Sequence, residues 1–145
     1  MEIDMYRRIR DLREDHDFKQ EKLAEILGCK QSTYSDYETG RCDISTQRLI
    51  ALSDIYNVST DYILGLTDDP QRFISTEKSS VQHRLKELRQ QYKLTQTEIA
   101  AKINCSQRIY SDYEIGRYDI STETLISIAK IYRVSTDYIL GISDK

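Results

Sequence analysis

The chain contains a long internal repeat. Residues 34–38 (YSDYE) recur as residues 110–114, an offset of 76 positions (110 − 34). Residues 58–65 (VSTDYILG) recur as residues 134–141 at the same offset. Roughly half of the positions between residues 6 and 68 match their counterparts without a gap. Such self-similarity indicates one supersecondary unit that has been duplicated. We therefore predict a first domain at residues 1–68, a linker at residues 69–80 and a second domain at residues 81–145.

Each copy contains the pattern of a helix, a tight turn and a second helix. In the second copy, Thr95 and Glu98 have the spacing of a capping box, which predicts a helix start. Asn104 tolerates the left-handed conformation of a turn. Ser106 can then cap a second helix, which Gly116 ends.

Helical spacing of apolar residues also predicts a first helix before this motif and two helices after it. No segment has strand alternation bounded by hairpin turns. We therefore expect an all-α protein. The predicted apolar positions of the flanking helices are Met5, Ile9, Leu12, Leu49, Leu52, Ile55 and Tyr56 in the first copy, and Val81, Leu85, Leu88, Leu125, Ile128, Ile131 and Tyr132 in the second.

The second helix of the motif has a polar outer face. In the second copy Tyr110 and Tyr113 are expected to point inward, and the other face carries Gln107, Arg108, Ser111 and Asp112. A short surface rich in hydrogen-bonding groups is suited to a DNA major groove.

Charge is distributed unevenly between the copies. Residues 1–68 contain 9 Lys and Arg against 14 Asp and Glu, a net charge of −5, and residues 81–145 contain 10 against 8, a net charge of +2. Non-specific DNA affinity comes mainly from cations near phosphates. We therefore expect the second domain to be the stronger DNA binder.

The sequence argues against several other classes of protein. The three cysteines lack CxxC spacing, which argues against a disulfide framework or a zinc site. No Ser/His/Asp, Cys/His or glycine-rich phosphate motif is present, so we expect no enzyme, no metal and no cofactor. Residues 1–4 are acidic and no apolar run follows them, which predicts no signal peptide, no membrane span and a cytoplasmic protein.

These motifs resemble the Cro/C1-type helix-turn-helix family, also called XRE-like regulators. The resemblance is strongest in the second copy, in residues 94–96 (LTQ), 98–100 (EIA), 113–117 (YEIGR) and 137–141 (DYILG). It implies two tandem five-helix domains of the lambda-repressor-like type, with the third helix of each in the major groove. Members commonly regulate transcription, frequently as dimers on two-fold-symmetric operators.

The resemblance also implies which residues contact double-stranded DNA. Gln20 and Gln96 begin the second helix, where family members contact phosphate and sometimes a base. Arg41 and Arg117 follow the glycine, where the family usually has a cation at the DNA backbone. The remaining candidates lie immediately before or on the third helices, and they are Lys30, Gln31, Ser32 and Ser35 in the first copy and Ser106, Gln107, Arg108 and Ser111 in the second.

Two positions depart from the family pattern. Asp36 and Asp112 stand where many members carry Arg, Lys or Gln. Such an aspartate could accept from cytosine, repel phosphates or pair within the helix; we favour pairing of Asp112 with Arg108 at i, i+4. Lys19 occupies the cap position of the first copy, so we expect Asp17 with Gln20 to cap one turn earlier.

The leading hypothesis is a sequence-specific DNA-binding transcriptional regulator. The polar linker suggests a flexible connection with a maximum reach of roughly 40 Å, enough for one chain to act as a pseudo-dimer on two half-sites. A homodimer is also possible. As alternatives, the acidic first domain is a protein-interaction or dimerisation module, or the chain is an antitoxin-like or anti-repressor protein.

Overall fold

The structure, a computed structural model, describes residues 5–145. All regular elements in this part of the chain are α-helices, which confirms the predicted all-α class. The chain divides into two compact units, one ending at Arg72 and the other spanning Phe73–Lys145. No described helix combines the length and apolar character needed to span a bilayer. Residues 1–4, used in the signal-peptide argument, lie outside the described residues.

Each unit contains five helices at corresponding positions. The first unit contains α1 (Met5–Asp15), α2 (Gln20–Leu27), α3 (Gln31–Thr39), α4 (Thr46–Tyr56) and α5 (Thr60–Ile63). The second contains α6 (Val81–Gln91), α7 (Gln96–Lys102), α8 (Gln107–Ile115), α9 (Thr122–Tyr132) and α10 (Thr136–Ile139).

A tyrosine from the third helix lies at the centre of each core. Tyr34 on α3 and Tyr110 on α8 are both fully buried. In the first unit, α3 packs against α1 and α2; in the second, α8 packs in the same way against α6 and α7. Burial of one face of α3 and α8 leaves the start of each helix at the protein surface.

The two units differ in how their helix-turn-helix motif is capped. Thr95 and Glu98 form both bonds of a capping box at α7, and Ser106 accepts from the backbone of Ile109 at α8, as predicted. In the first unit α2 and α3 begin after Lys19 and Lys30, and neither lysine provides a side-chain cap. The predicted cap by Asp17 is wrong, because Asp17 itself has a left-handed backbone with φ of 56° and α2 begins only at Gln20.

The turn of the motif needs a left-handed residue in both units. Gly28 has φ of 73°, and Asn104, its counterpart, has φ of 57°. Asparagine is one of the few residues with a side chain that adopts this conformation at low cost. The turn prediction for Asn104 is therefore confirmed.

The residues between the two copies are attached to the units on either side. The carbonyl of Pro70 accepts from Ser59, and Arg72 donates to the carbonyl of Ser53 and to the carboxylate of Asp54. Further along, the backbone amide groups of Ser75 and Ser79 donate to the carbonyls of Ile142 and Gly141. Backbone groups of Pro70, Ser75 and Ser79 and the side chain of Arg72 are thus bonded to the unit next to them. The 12-residue linker at residues 69–80 stays a prediction.

Candidate nucleic-acid interface

A buried carboxylate on the third helix organises the surface of each unit. Arg13 Nε donates to Glu38 Oε2 at 2.7 Å, and Arg89 Nε donates to Glu114 Oε1 at 2.7 Å. The two carboxylate side chains are only 4% and 5% exposed. Charge-assisted bonds of this kind are short and directional. They therefore fix the third helix against the first helix of its unit.

Arg13 does not lie on a solvated face of α1, although the interleaving of Arg7, Arg8, Arg10 and Arg13 with acidic residues is typical of such a face. Arg7 and Arg10 do pair with acidic residues one turn away, but Arg13 is only 14% exposed and binds Glu38. The basic run is thus divided by the helical period, since Arg13 binds Glu38 and Arg8 donates to the carbonyls of Tyr62 and Thr67.

Two glutamines extend from each carboxylate to the surface. Gln20 Nε2 donates to Glu38, and Gln31 Nε2 donates to Gln20 Oε1 at 2.6 Å. In the second unit Gln96 Nε2 donates to Glu114, and Gln107 Nε2 donates to Gln96 Oε1, also at 2.6 Å. We refer to each Arg–Glu–Gln–Gln series as the amide chain of its unit.

The amide chain sets the orientation of its last glutamine. An ionised carboxylate only accepts hydrogen bonds, so Gln20 and Gln96 must present their NH₂ groups to it. Their oxygens are then left to accept from Gln31 and Gln107. Among residues 5–145, the second N–H and the Oε1 of each of these exposed glutamines have no hydrogen-bond partner. This is the donor and acceptor pair that an adenine edge requires.

The electrostatics of the first amide chain keep Glu38 ionised. Burial by itself raises the pKa of Glu38. The hydrogen bond and charge of Arg13, together with the neighbouring Tyr34 and Gln20 side chains, outweigh that effect and hold the pKa below its usual value. Burial raises the pKa of Tyr34, the tyrosine one turn before Glu38, well above its usual range. The tyrosine therefore stays neutral, and the carboxylate carries the negative charge.

The predicted pairing of Asp112 with Arg108 is wrong. Asp112 is only 7% exposed, and its carboxylate lies 3.7 Å from Arg117. Arg117 follows the glycine that ends α8, and its backbone amide also donates to the carbonyl of Asp112. This turn brings Arg117 back over the helix, whereas Arg108 is exposed and makes no ion pair within residues 5–145.

All twelve predicted DNA-contact residues lie within the described part of the chain. The hydrogen bonds join Gln20 to Gln31 and Gln96 to Gln107. The hydroxyl of Ser106 is already engaged as the cap of α8. Gln20, Ser35, Gln96 and Ser111 are half-buried, and the exposed members are Lys30, Gln31, Ser32, Arg41, Ser106, Gln107, Arg108 and Arg117.

Sequence reasoning missed the two arginine–glutamate pairs. Glu38 and Glu114 lie near the ends of the third helices, a position that suggests local hydrogen bonds, yet each is bonded to an arginine 25 positions earlier. Because an arginine stands 25 positions before the glutamate in both copies, the repeat could have been used to predict these pairs. In residues 5–145 no group of three or more His, Cys, Asp and Glu is placed to hold a metal ion.

A family model described as helix-turn-helix matches residues 9–63 and 85–139. Among curated proteins of Bacillus subtilis (strain 168), the chain is 46% identical over 63 residues to the uncharacterized HTH-type transcriptional regulator YobD (43% of this chain, 56% of YobD). It is 45% identical over 62 residues to the HTH-type transcriptional regulator ImmR (43% of this chain, 49% of ImmR). The chain thus spans about half the length of the curated relatives it matches.

The family match covers most of the chain and falls on both copies of the repeat. The matched segments contain the two amide chains and both helix-turn-helix motifs. This confirms the resemblance that the repeated residues indicated: the chain belongs to the helix-turn-helix family of the Cro/C1 (XRE) type.

Proposed function

We propose that this chain is a sequence-specific DNA-binding transcriptional regulator in which the first turns of α3 and α8 enter the major groove. The observation that carries the proposal is the fixed orientation of Gln31 and Gln107, each with one free donor and one free acceptor. Positioning such a glutamine before binding reduces the entropy lost when it contacts a base. The printed names of the curated relatives, HTH-type transcriptional regulators, support the same function.

Phosphate contacts would hold each motif in register. Arg41 and Arg117 are exposed just beyond the third helices, and Lys30 is exposed just before α3. Cations in these places can contact the backbone on either side of a groove without distinguishing sequences. Gln20 and Gln96 stand at helix starts, where backbone N–H groups point outward and favour a phosphate.

The repeat suggests that one chain occupies two half-sites as a pseudo-dimer. Each unit carries its own amide chain and its own exposed cations, so neither lacks the groups that a half-site requires. A homodimer of whole chains is the other arrangement that would match a paired operator. DNA binding would place the protein in the cytoplasm of a bacterial cell.

The net charge of the first unit favours one alternative. A net charge of −5 suits an interaction with a protein, so α3 could serve in self-association while only α8 binds DNA. However, Lys19, Lys30 and Arg41 are all exposed next to the first amide chain. The acidic charge therefore does not remove cations from the edge where phosphates would lie, and we favour DNA binding by both units.

The test compares two exposed arginines of the second unit in the full chain. We expect Arg117→Ala to weaken binding to all duplexes about equally and to reduce the salt slope by about 1, as for a phosphate contact. We expect Arg108→Ala to relax base preference at one position and to leave other positions unchanged. Duplex binding would be measured at two salt concentrations, with Arg41→Ala as the matched variant of the first unit.

The outcomes separate the hypotheses. If Arg117→Ala reduces the salt-dependent affinity and Arg41→Ala has no effect, the first unit would be a protein-interaction module. Absence of any salt-dependent DNA affinity in the unmodified chain would contradict the proposal and favour an antitoxin-like or anti-repressor protein. If Arg108→Ala weakened binding to all duplexes alike and Arg117→Ala relaxed the base preference, the roles assigned to these arginines would be overturned.

A further inference from the structure

We propose that the two units recognise different half-sites, so that the operator is not a palindrome. The half-sites would share the base pair contacted by Gln31 and Gln107 and differ at the adjacent base pair. This inference rests on the proposed function, since it concerns which DNA sequence the two motifs select.

The shared base pair follows from the two amide chains. In both units the exposed glutamine donates to the preceding glutamine at 2.6 Å, and that glutamine in turn donates to a buried carboxylate. The same free donor and acceptor are therefore presented at the first position of α3 and of α8. Identical side chains held by identical hydrogen-bond partners favour the same base edge, for which adenine is the match.

The difference arises at the second position of each helix. Ser32 and Arg108 occupy this position, and both are exposed. Arginine can donate two parallel hydrogen bonds to guanine O6 and N7, whereas serine contacts several bases with little preference. Within residues 5–145 Arg108 makes no ion pair, while Arg13, Arg89 and Arg117 each lie near a carboxylate. The guanidinium of Arg108 is therefore available to a base.

The surrounding exposed positions differ as well. Ile115 lies seven residues after Arg108, on the same face of α8, and is 64% exposed; its counterpart in α3 is Thr39. Ile109 is 42% exposed where α3 carries Thr33. By contrast, the inward residues Tyr34 and Tyr110 are identical and fully buried. The duplicated helices have thus kept their packing while their outer surfaces have diverged.

The experiment is a selection of bound duplexes from a random pool, carried out with the unmodified full chain, with Arg108→Ser and with Ser32→Arg. Both substituted side chains are exposed, so circular dichroism should show the same helix content in all three proteins. For the unmodified chain we expect two half-sites that share adenine and carry an adjacent guanine in only one of them. Replacing that guanine should weaken binding about 5- to 150-fold.

Both variants should make the two half-sites more alike, one by removing a guanine preference and the other by adding one. Arg108→Ser should remove the guanine preference, so that the half-sites become alike. Ser32→Arg should introduce a second guanine and make the selected operator more symmetric. A palindromic operator selected by the unmodified chain, or a selection by Ser32→Arg that matches the unmodified one, would overturn this inference while leaving the proposed function intact. Failure to enrich any sequence would overturn both.

Discussion

At the scale of single residues, Glu38 and Glu114 connect stability to recognition. Each carboxylate binds the arginine that joins the first and third helices, and each also orients the glutamines that lead to the surface. A change at either glutamate should therefore affect both folding and DNA binding. Aspartate could not serve equally well, because its shorter side chain would not reach both partners.

The ionisation of Glu38 predicts an acid-sensitive first unit. Its folded-state pKa lies below the ordinary value of 4.5, so its stabilising contribution is present above that pH and is lost as the pH falls through the folded-state pKa. Calorimetric unfolding of the full chain between pH 7 and pH 3 should show this loss. At pH 7, Glu38→Gln should destabilise the first unit by about 1.5–3 kcal/mol, because a hydrogen bond to a charged group is removed.

The Glu38→Gln protein is also the control. It retains every other titratable group, so the difference in stability between the two proteins isolates Glu38. We expect that difference to shrink as the pH approaches the folded-state pKa of Glu38. A difference that stays constant down to pH 3 would contradict this account.

At the scale of the helix, the two units balance capping against charge in different ways. Lys30 and Ser106 occupy the same position with nearly the same extended backbone, at φ of −74° and −76°. Ser106 caps its helix, whereas Lys30 leaves α3 without a side-chain cap and places a cation at the proposed DNA edge. The first unit therefore forgoes some helix stability where a phosphate contact is proposed.

This balance predicts opposite effects on stability and binding. Lys30→Ser should stabilise the first unit by about 1 kcal/mol, because an N-terminal cap is gained. The same change should weaken DNA binding and reduce its salt dependence, because a cation is lost. Thermal unfolding and duplex titration measure the two effects. Ser106→Ala serves as the matched variant in the second unit and should lower stability by about 1 kcal/mol without changing the salt slope.

Two glycines allow backbone strain to be separated from steric overlap. Gly28 and Gly141 have φ of 73° and 80°, but a Cβ at Gly28 would meet no atom within 4 Å, whereas one at Gly141 would overlap the backbone oxygen of Ser79. Gly28→Ala should therefore cost only the left-handed strain, about 1–2 kcal/mol. Gly141→Ala should cost clearly more, because the segment bonded through Ser79 must move. Equal decreases in melting temperature would refute this distinction.

At the scale of the whole chain, the duplication places two complete motifs in one polypeptide. Both units have the same helix order, and both contain an amide chain. Linking two DNA-binding modules converts the second contact into an intramolecular step, which raises apparent affinity if both half-sites can be engaged at once. If both units bind DNA as proposed, the chain would have the avidity of a dimer without having to dimerise.

The pseudo-dimer proposal predicts one chain for each operator. Sedimentation of the full chain with a selected duplex should give a complex of one protein and one DNA molecule. Substituting alanine for either Gln31 or Gln107 should remove most of the affinity, because the bivalent contact is lost. A complex of two chains in which alanine at Gln31 has no effect would instead support a dimer that binds DNA through the second units.

The sequence by itself determined the features that depend on near neighbours along the chain. The all-α class, the left-handed turn at Asn104 and the caps at Thr95 and Ser106 each follow from residues within about four positions. The DNA-contact residues and the domain boundaries remain predictions.

Only the tertiary structure decided the pairings between elements. Arg13 binds Glu38 because α1 and α3 pack together, which helical spacing within α1 does not reveal. Asp112 lies near Arg117 because the chain turns back after Gly116. Asp17 and its counterpart Lys93 both have a left-handed backbone, with φ of 56° and 55°, and the next helices begin at Gln20 and Gln96. Local patterns specify where helices form, whereas the partner of a charged side chain depends on how those helices pack.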